Sequence, residues 1–139
     1  MIGLAGAAPP QPQELRTEEL RELMSIGLHA AFNGRVEPAL RLFDALGRLR
    51  PGESFPRIGT AQALLAARRF DQAVRLLEAT LAEQPEDDAV RVMLGLALQV
   101  ALRESQGRQV LAPLLEADRD AQASRLACEL LTAPVTPVR

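Results

Sequence analysis

The chain has 139 residues, enough for one domain with a sizeable core, and its 47% hydrophobic content is mostly Ala and Leu, with four Phe and neither Tyr nor Trp. Ala and Leu lead the helix-propensity order while strands favour branched and aromatic side chains, so the composition predicts an all-α protein. Sixteen basic residues, all Arg, and eighteen acids leave a net charge of −2 with no basic stripe, which argues against a nucleic-acid surface; the single Cys, Cys128, excludes an intramolecular disulfide framework.

Residues 1–13 end in Pro9-Pro10-Gln11-Pro12-Gln13 and read as a flexible leader with Ile2 and Leu4 at its tip. The leader has no charged start, and its apolar run is too short for a signal peptide. The longest apolar stretch, Val92 to Val100, is interrupted by Gln99 and stops before Arg103, well short of a membrane span. The expectation is a soluble, cytoplasmic protein with no membrane contact.

A single domain is expected over 14–132. Helix one runs from Glu14 or Thr17 to Phe32, with Thr17 as N-cap and Glu18 and Glu19 at the positive end of the dipole. Leu20, Leu23, Met24, Gly27, Leu28 and Ala31 recur at helical spacing, and Asn33-Gly34 ends the helix. Helix two spans about Val36 to Arg50, tolerates Pro38 in its first turn and stops at Pro51-Gly52. Helix three follows Ser54 as N-cap and continues to about Arg68; helix four runs from Asp71 to Glu83 and is closed by Pro85. Asp87-Asp88 open helix five, Ala89 to about Leu102. Helix six, from Ser105 or Gln106 to Glu116, contains Pro113, which predicts a kink or an early end. A seventh helix covers Asp120 to Leu131, and 133–139 form a frayed tail.

Three markers recur at a 34-residue spacing: Ala39 and Ala73, Phe43 and Leu77, Pro51 and Pro85. Small residues at Gly27, Ala39, Ala61, Ala73, Gly95 and Gly107 let neighbouring helices approach, and Phe43, Leu77 and Leu111 fill the grooves between them. In this phasing the chain resembles the tetratricopeptide repeat. Unit one, 20–53, carries Leu23, Ile26-Gly27, Ala30, Ala39-x3-Phe43 and Pro51. Unit two, 54–87, carries Ala61, Leu64, Ala73-x3-Leu77 and Pro85, with Arg57 and Thr60 departing from the pattern. Unit three, 88–121, carries Leu94-Gly95, Leu98 and Gly107-x3-Leu111, and the seventh helix is similar to the solvating helix that caps such arrays. The resemblance implies a right-handed α-solenoid with a concave groove. The stretch Leu28 to Leu46 looks most like the tetratricopeptide chaperones of bacterial type III secretion, which hold needle or translocator subunits before export.

In that family the first helix of each unit lines the groove. The positions carried over are Arg21, Met24, Leu28, Ala31 and Phe32; Phe55, Ile58, Gln62, Leu65 and Ala66; and Ala89, Val92, Leu96, Gln99 and Val100. Most are apolar, which suits an amphipathic helix or an extended apolar peptide, and Met24 adds an adaptable contact. The resemblance therefore implies a protein partner, a secreted subunit, in this groove. The leader, the seventh helix or a second copy of the chain in a homodimer are the alternative occupants. An adaptor that assembles complexes outside secretion, or a sensor taking a peptide or small ligand, are the other functional readings.

Catalysis has little to work with. His29 is the only His and reads as a surface or packed residue; Cys128, near Leu126 and Leu130, reads as a small buried apolar residue. There is no glycine-rich phosphate loop, Cys-x2-Cys pair or serine nucleophile elbow, and the acids Glu18-Glu19, Asp87-Asp88 and Asp118-Asp120 are explained as helix starts. No enzyme activity, cofactor or metal is expected.

Overall fold

A computed structural model describes residues 16–117 and 121–132, which form seven α-helices and, among these residues, no strand. They are α1 (Thr17–Phe32), α2 (Val36–Leu49), α3 (Phe55–Ala66), α4 (Phe70–Glu83), α5 (Asp88–Val100), α6 (Glu104–Ala117) and α7 (Ala121–Thr132). The leader, the tail and Asp118 to Asp120 lie outside the described residues.

Each helix packs on the next, and α1, α3, α5 and α7 also touch in series, whereas α2, α4 and α6 make no contact with one another among the described residues. The chain therefore alternates between a continuous layer of odd-numbered helices and a row of even-numbered helices laid against it.

The 34-residue period of the sequence is copied in the backbone. Gly34, Arg68 and Leu102 all sit at positive φ, 82°, 62° and 63°. After each, an amide reaches back to close the preceding helix: Arg35 N–H to Ala30 O at 2.8 Å, Arg69 N–H to Leu64 O at 2.8 Å, and Arg103 N–H to Leu98 O at 2.7 Å. This backbone turn satisfies carbonyls that a helix C-terminus otherwise leaves open. The turn between units repeats too: Glu53 N–H donates to Arg50 O, and Asp87 N–H to Gln84 O, each at 3.1 Å.

Only the first of the three left-handed positions is a Gly, so the other two hold strained side chains. Leu102→Gly is expected to raise stability by about 0.5–1 kcal/mol, the more so because that leucine is 64% exposed, while Gly34→Ala lowers it by about 1 kcal/mol. Urea denaturation of both variants measures the two signs.

The core follows the same period. Ala39 and Ala73 are 0% exposed and Gly107 is buried; Phe43, Leu77 and Leu111 are buried, and so are Leu46, Thr80 and Leu114 one turn later. Thr80 occupies an apolar slot because its hydroxyl donates back to Leu76 O at 2.7 Å, which removes the cost of burying an unpaired polar group. Ion pairs between consecutive turns are also copied: Arg69 pairs with Glu37 and Arg103 with Asp71, both at 2.9 Å.

Several local expectations change. Arg16, not Thr17, is the residue before α1, and its amide donates to the Glu19 carboxylate at 2.9 Å. Ser54 stands at the N-cap of α3 but makes no side-chain cap bond; its hydroxyl donates to the Asp87 carboxylate at the other end of the same unit, while Asp87 caps α5 by accepting from Val90 N–H at 3.1 Å. The carboxylate gives the Ser54 hydroxyl a charged acceptor, the stronger kind of hydrogen bond. The helix α6 starts at Glu104 and does not end early at Pro113 but runs on to Ala117. The missing donor there costs one intrahelical bond, and burial of Leu111 and Leu114 on one face holds the segment. Arg57 and Thr60, the departures in unit two, are accommodated by an ion pair to Glu83 and by a bond from the Thr60 hydroxyl to Pro56 O. Cys128 is exposed rather than buried, because α7 turns Ala123 and Ala127 inward and leaves Leu126 and Cys128 outside.

Candidate functional site

The apolar stripe of α1 has two edges. Leu20, Gly27 and Ala31 face inward and are buried, whereas Met24 and Leu28, rotated away from that line, are only half-buried. Opposite them the α2–α3 turn brings up Arg50 and Glu53, and α3 begins with Phe55. Together Thr17, Leu20, Arg21, Met24, Ser25, Leu28, His29, Arg50, Glu53 and Phe55 wall an open cleft of about 700 Å³. The size falls within the range of ligand-binding clefts. Leu20, Met24, Leu28 and Phe55 give it an apolar lining; Thr17, Ser25 and His29 form the polar rim.

Close packing beneath the cleft sets Met24. A Cβ placed on Gly59, in the middle of α3, would lie 2.8 Å from Met24 Cε and 2.8 Å from the Phe43 ring. A mid-helix glycine costs about 1 kcal/mol relative to alanine, and here the missing side chain is what lets the methionine and the phenylalanine reach α3. Sequence reasoning passed over Gly59, although a glycine between Ile58 and Thr60 in a helix was the available signal.

The cleft has two charged features. Arg50 Nη1 lies 3.0 Å from Glu53 Oε1, an i,i+3 pair across the Pro51-Gly52 turn. Arg21 is exposed and has no ion-pair or hydrogen-bond partner for its side chain among the described residues. Among the described residues the wall thus carries one cation without an ion-pair partner.

Of the residues expected to line a groove, Met24, Leu28 and Phe55 share this cleft, together with Arg21. Ala31 is 3% exposed and belongs to the core of the first unit, so it offers almost no surface. Phe32 is 69% exposed beyond the cleft walls. Ile58 and Leu65 pack as half-buried residues against the middle core, and Gln62 and Ala66 are half-buried on the same helix.

The α5 positions have another fate. Val92 packs against the cluster of Leu111, Leu114, Ala123 and Ala127, and the Gln99 amide donates to Leu130 O on α7. Leu96 and Val100 are half-buried on α5, and Ala89 is exposed. The terminal helix thus takes up the Val92 and Gln99 end of the expected groove, whereas the cleft at α1 and the start of α3 is open. Sequence reasoning missed Arg50 and Glu53, whose i,i+3 spacing around Pro51-Gly52 was the readable sign that a turn would carry a wall.

No group of three or more potential metal-ligating side chains occurs among the described residues, and no described helix is long and apolar enough to cross a membrane. A second cleft of about 460 Å³ opens on the other side of Phe43, between α2, α3 and α4, with Arg48 and Asp44 paired at its edge.

Comparison with known proteins places this geometry in context. The family model described as bacterial type III secretion protein (HrpB1_HrpK) matches residues 10–133, nearly the whole chain. No curated protein matches.

Proposed function

The chain belongs to the HrpB1_HrpK family of bacterial type III secretion proteins, and on that premise we propose that it is a non-enzymatic protein-binding module that holds an apolar or amphipathic segment of a secretion subunit. The fold reading that goes with it is a tetratricopeptide solenoid of three units and a capping helix. The copied turns at Gly34, Arg68 and Leu102 and the matching buried triplets support it. The observation that carries the functional reading is the α1–α3 cleft, whose apolar lining is left open while the equivalent surface of α5 is engaged by α7. Open apolar clefts of this kind serve as docking surfaces for partner segments. In a secretion setting the cargo reading is a needle or translocator subunit held before export, which puts the protein in the cytoplasm as a chaperone.

The test is co-expression with the needle and translocator subunits of the same secretion system, followed by purification and cell fractionation. A stoichiometric complex with one of them is expected, recovered from the cytoplasm. Leu28→Asp should weaken it by more than tenfold, whereas Leu126→Asp, on the far side of α7, leaves it unchanged. Circular dichroism confirms that both variants remain helical. A complex indifferent to Leu28→Asp would sink the cleft assignment. Recovery only with membrane-bound assembly components would replace the chaperone by an adaptor that builds the secretion apparatus.

A further inference from the structure

The shape and charge of the cleft narrow what it can hold. Its long wall follows α1 from Thr17 to His29. At about 1.5 Å rise per residue that is roughly 18 Å, or a little over three helical turns. The facing wall is short: it is made of Arg50, Glu53 and Phe55, and neither Ile58 nor Gln62, one and two turns further along α3, contributes to it. The cleft is therefore a trough running alongside α1, not a channel crossing from α1 over α3 to α5. The apolar side chains on its long wall, Leu20, Met24 and Leu28, recur every four residues. That is the ridge spacing into which the side chains of another helix interdigitate, whereas an extended strand presents alternate side chains at a longer interval. The charge is asymmetric as well. Glu53 is neutralised by Arg50, and Arg21 has no partner among the described residues, so the trough is complementary to an acid.

We propose, building on the cleft assignment above, that the occupant is an amphipathic helix of about three turns laid along α1. It presents apolar residues at i, i+4 and i+7 to Leu20, Met24 and Leu28, and a carboxylate to Arg21. Arg21 is then a specificity-determining residue: it adds little to the apolar contact but selects an acidic helix over a basic one and fixes which way the helix points. This goes beyond protein binding as such, because it states the secondary structure, the direction of approach and the charge of the partner segment.

The experiment uses fluorescein-labelled synthetic 14-residue peptides and fluorescence polarisation with the full chain. One peptide has leucines at i, i+4 and i+7 and a single Glu; the second has Lys in place of that Glu; the third is the Glu peptide with a central Pro. The Glu peptide is expected to bind about tenfold more tightly than the Lys peptide at low salt, a gap that closes by 0.5 M NaCl. Arg21→Glu should reverse the preference, and the Pro peptide should bind at least tenfold more weakly because it cannot keep three turns. Equal binding of the Glu and Lys peptides, or undiminished binding of the Pro peptide, overturns the proposal. If Leu28→Asp still abolishes binding in that case, the cleft assignment itself survives. If binding is indifferent to Leu28→Asp, both fall. A Glu peptide that binds only after residues 1–13 are removed, or only as a homodimer dissociates, makes the leader or a second copy the occupant and likewise overturns it.

Discussion

Phe43→Ala is expected to destabilise the protein by about 3–5 kcal/mol and to reverse the sign of a second substitution, Gly27→Ala. The phenylalanine ring is 1% exposed and lies between two glycines on different helices. A Cβ on Gly27 would sit 2.6 Å from Phe43 Cζ, and one on Gly59 would sit 2.8 Å from Cδ1 and Cε1. Truncating the ring removes its apolar burial and leaves a void that α1 and α3 cannot close without moving together. With total stability typically about 5–15 kcal/mol, this one residue can decide whether the first unit folds. Gly27→Ala in the native background forces an overpacked contact, which costs about 1–3 kcal/mol and outweighs the gain of about 1 kcal/mol from helix propensity. In the Phe43→Ala background the contacts below 3 Å are gone and the remaining close neighbour, Leu42 Cδ2 at 3.3 Å, is a side-chain end that can turn into the vacated space, so the propensity gain prevails and the same substitution becomes stabilising. Urea denaturation of the two single variants and the double variant measures the coupling directly. Additive effects would show that the glycine is not there for the ring.

Ala127→Glu is expected to detach α7 without unfolding the first two units. Ala127 is 0% exposed and packs with the apolar side chains of Leu111, Leu114 and Ala123, which offer a carboxylate no hydrogen bond. Burying an isolated ionised carboxylate costs more than the helix gains by docking. The helix therefore leaves and takes with it the Ser124 bond to Leu114 O and the Gln99 bond to Leu130 O. Each helix is held by contacts with its neighbours, and among the described residues α7 touches only α5 and α6. Hydrogen exchange should show protection lost over 121–132 and reduced at the ends of α5 and α6, with α1 to α4 unaffected. Uniform loss of protection along the chain would show a single cooperative unit instead. Releasing α7 would also uncover Val92 and Gln99, lengthening the exposed inner layer.

The helices and their turns were legible because the chemistry that sets them is local. Asn33-Gly34, Pro51 and Pro85 mark ends that need only their own residues, and Asp87 caps α5 where the sequence placed it. The small-residue slots at Ala39, Ala73 and Gly107 were legible because a period repeats them. What escaped involves partners distant in sequence. Ser54 looks like a side-chain cap until Asp87, from the far end of its own unit, is placed beside it. Cys128 looks like a core residue until the rotation of α7 is known, and that rotation follows from which alanines meet Leu111 and Leu114. The groove positions are a similar case: Val92 and Gln99 have the composition of an open surface, and α7 lies against them. The cleft itself was half legible, through Met24, Leu28 and Phe55, but its second wall comes from a turn whose side chains no helical period reports.

The copied ion pairs carry a last consequence, for polymerisation. Each links an Arg at the start of an even-numbered helix to an acid two residues into the preceding even-numbered helix, Arg69 to Glu37 and Arg103 to Asp71. A structure that repeats by translation is prone to add further copies of itself end to end, as heterologous contacts that do not close. Here the acid slot of α6 is occupied by Ser105, which is exposed. The position that would continue the series toward an Arg35 is therefore a serine, not an acid. The ion-pair series that ties the turns together inside the chain therefore stops at α6 and does not supply an end-to-end contact for a further copy.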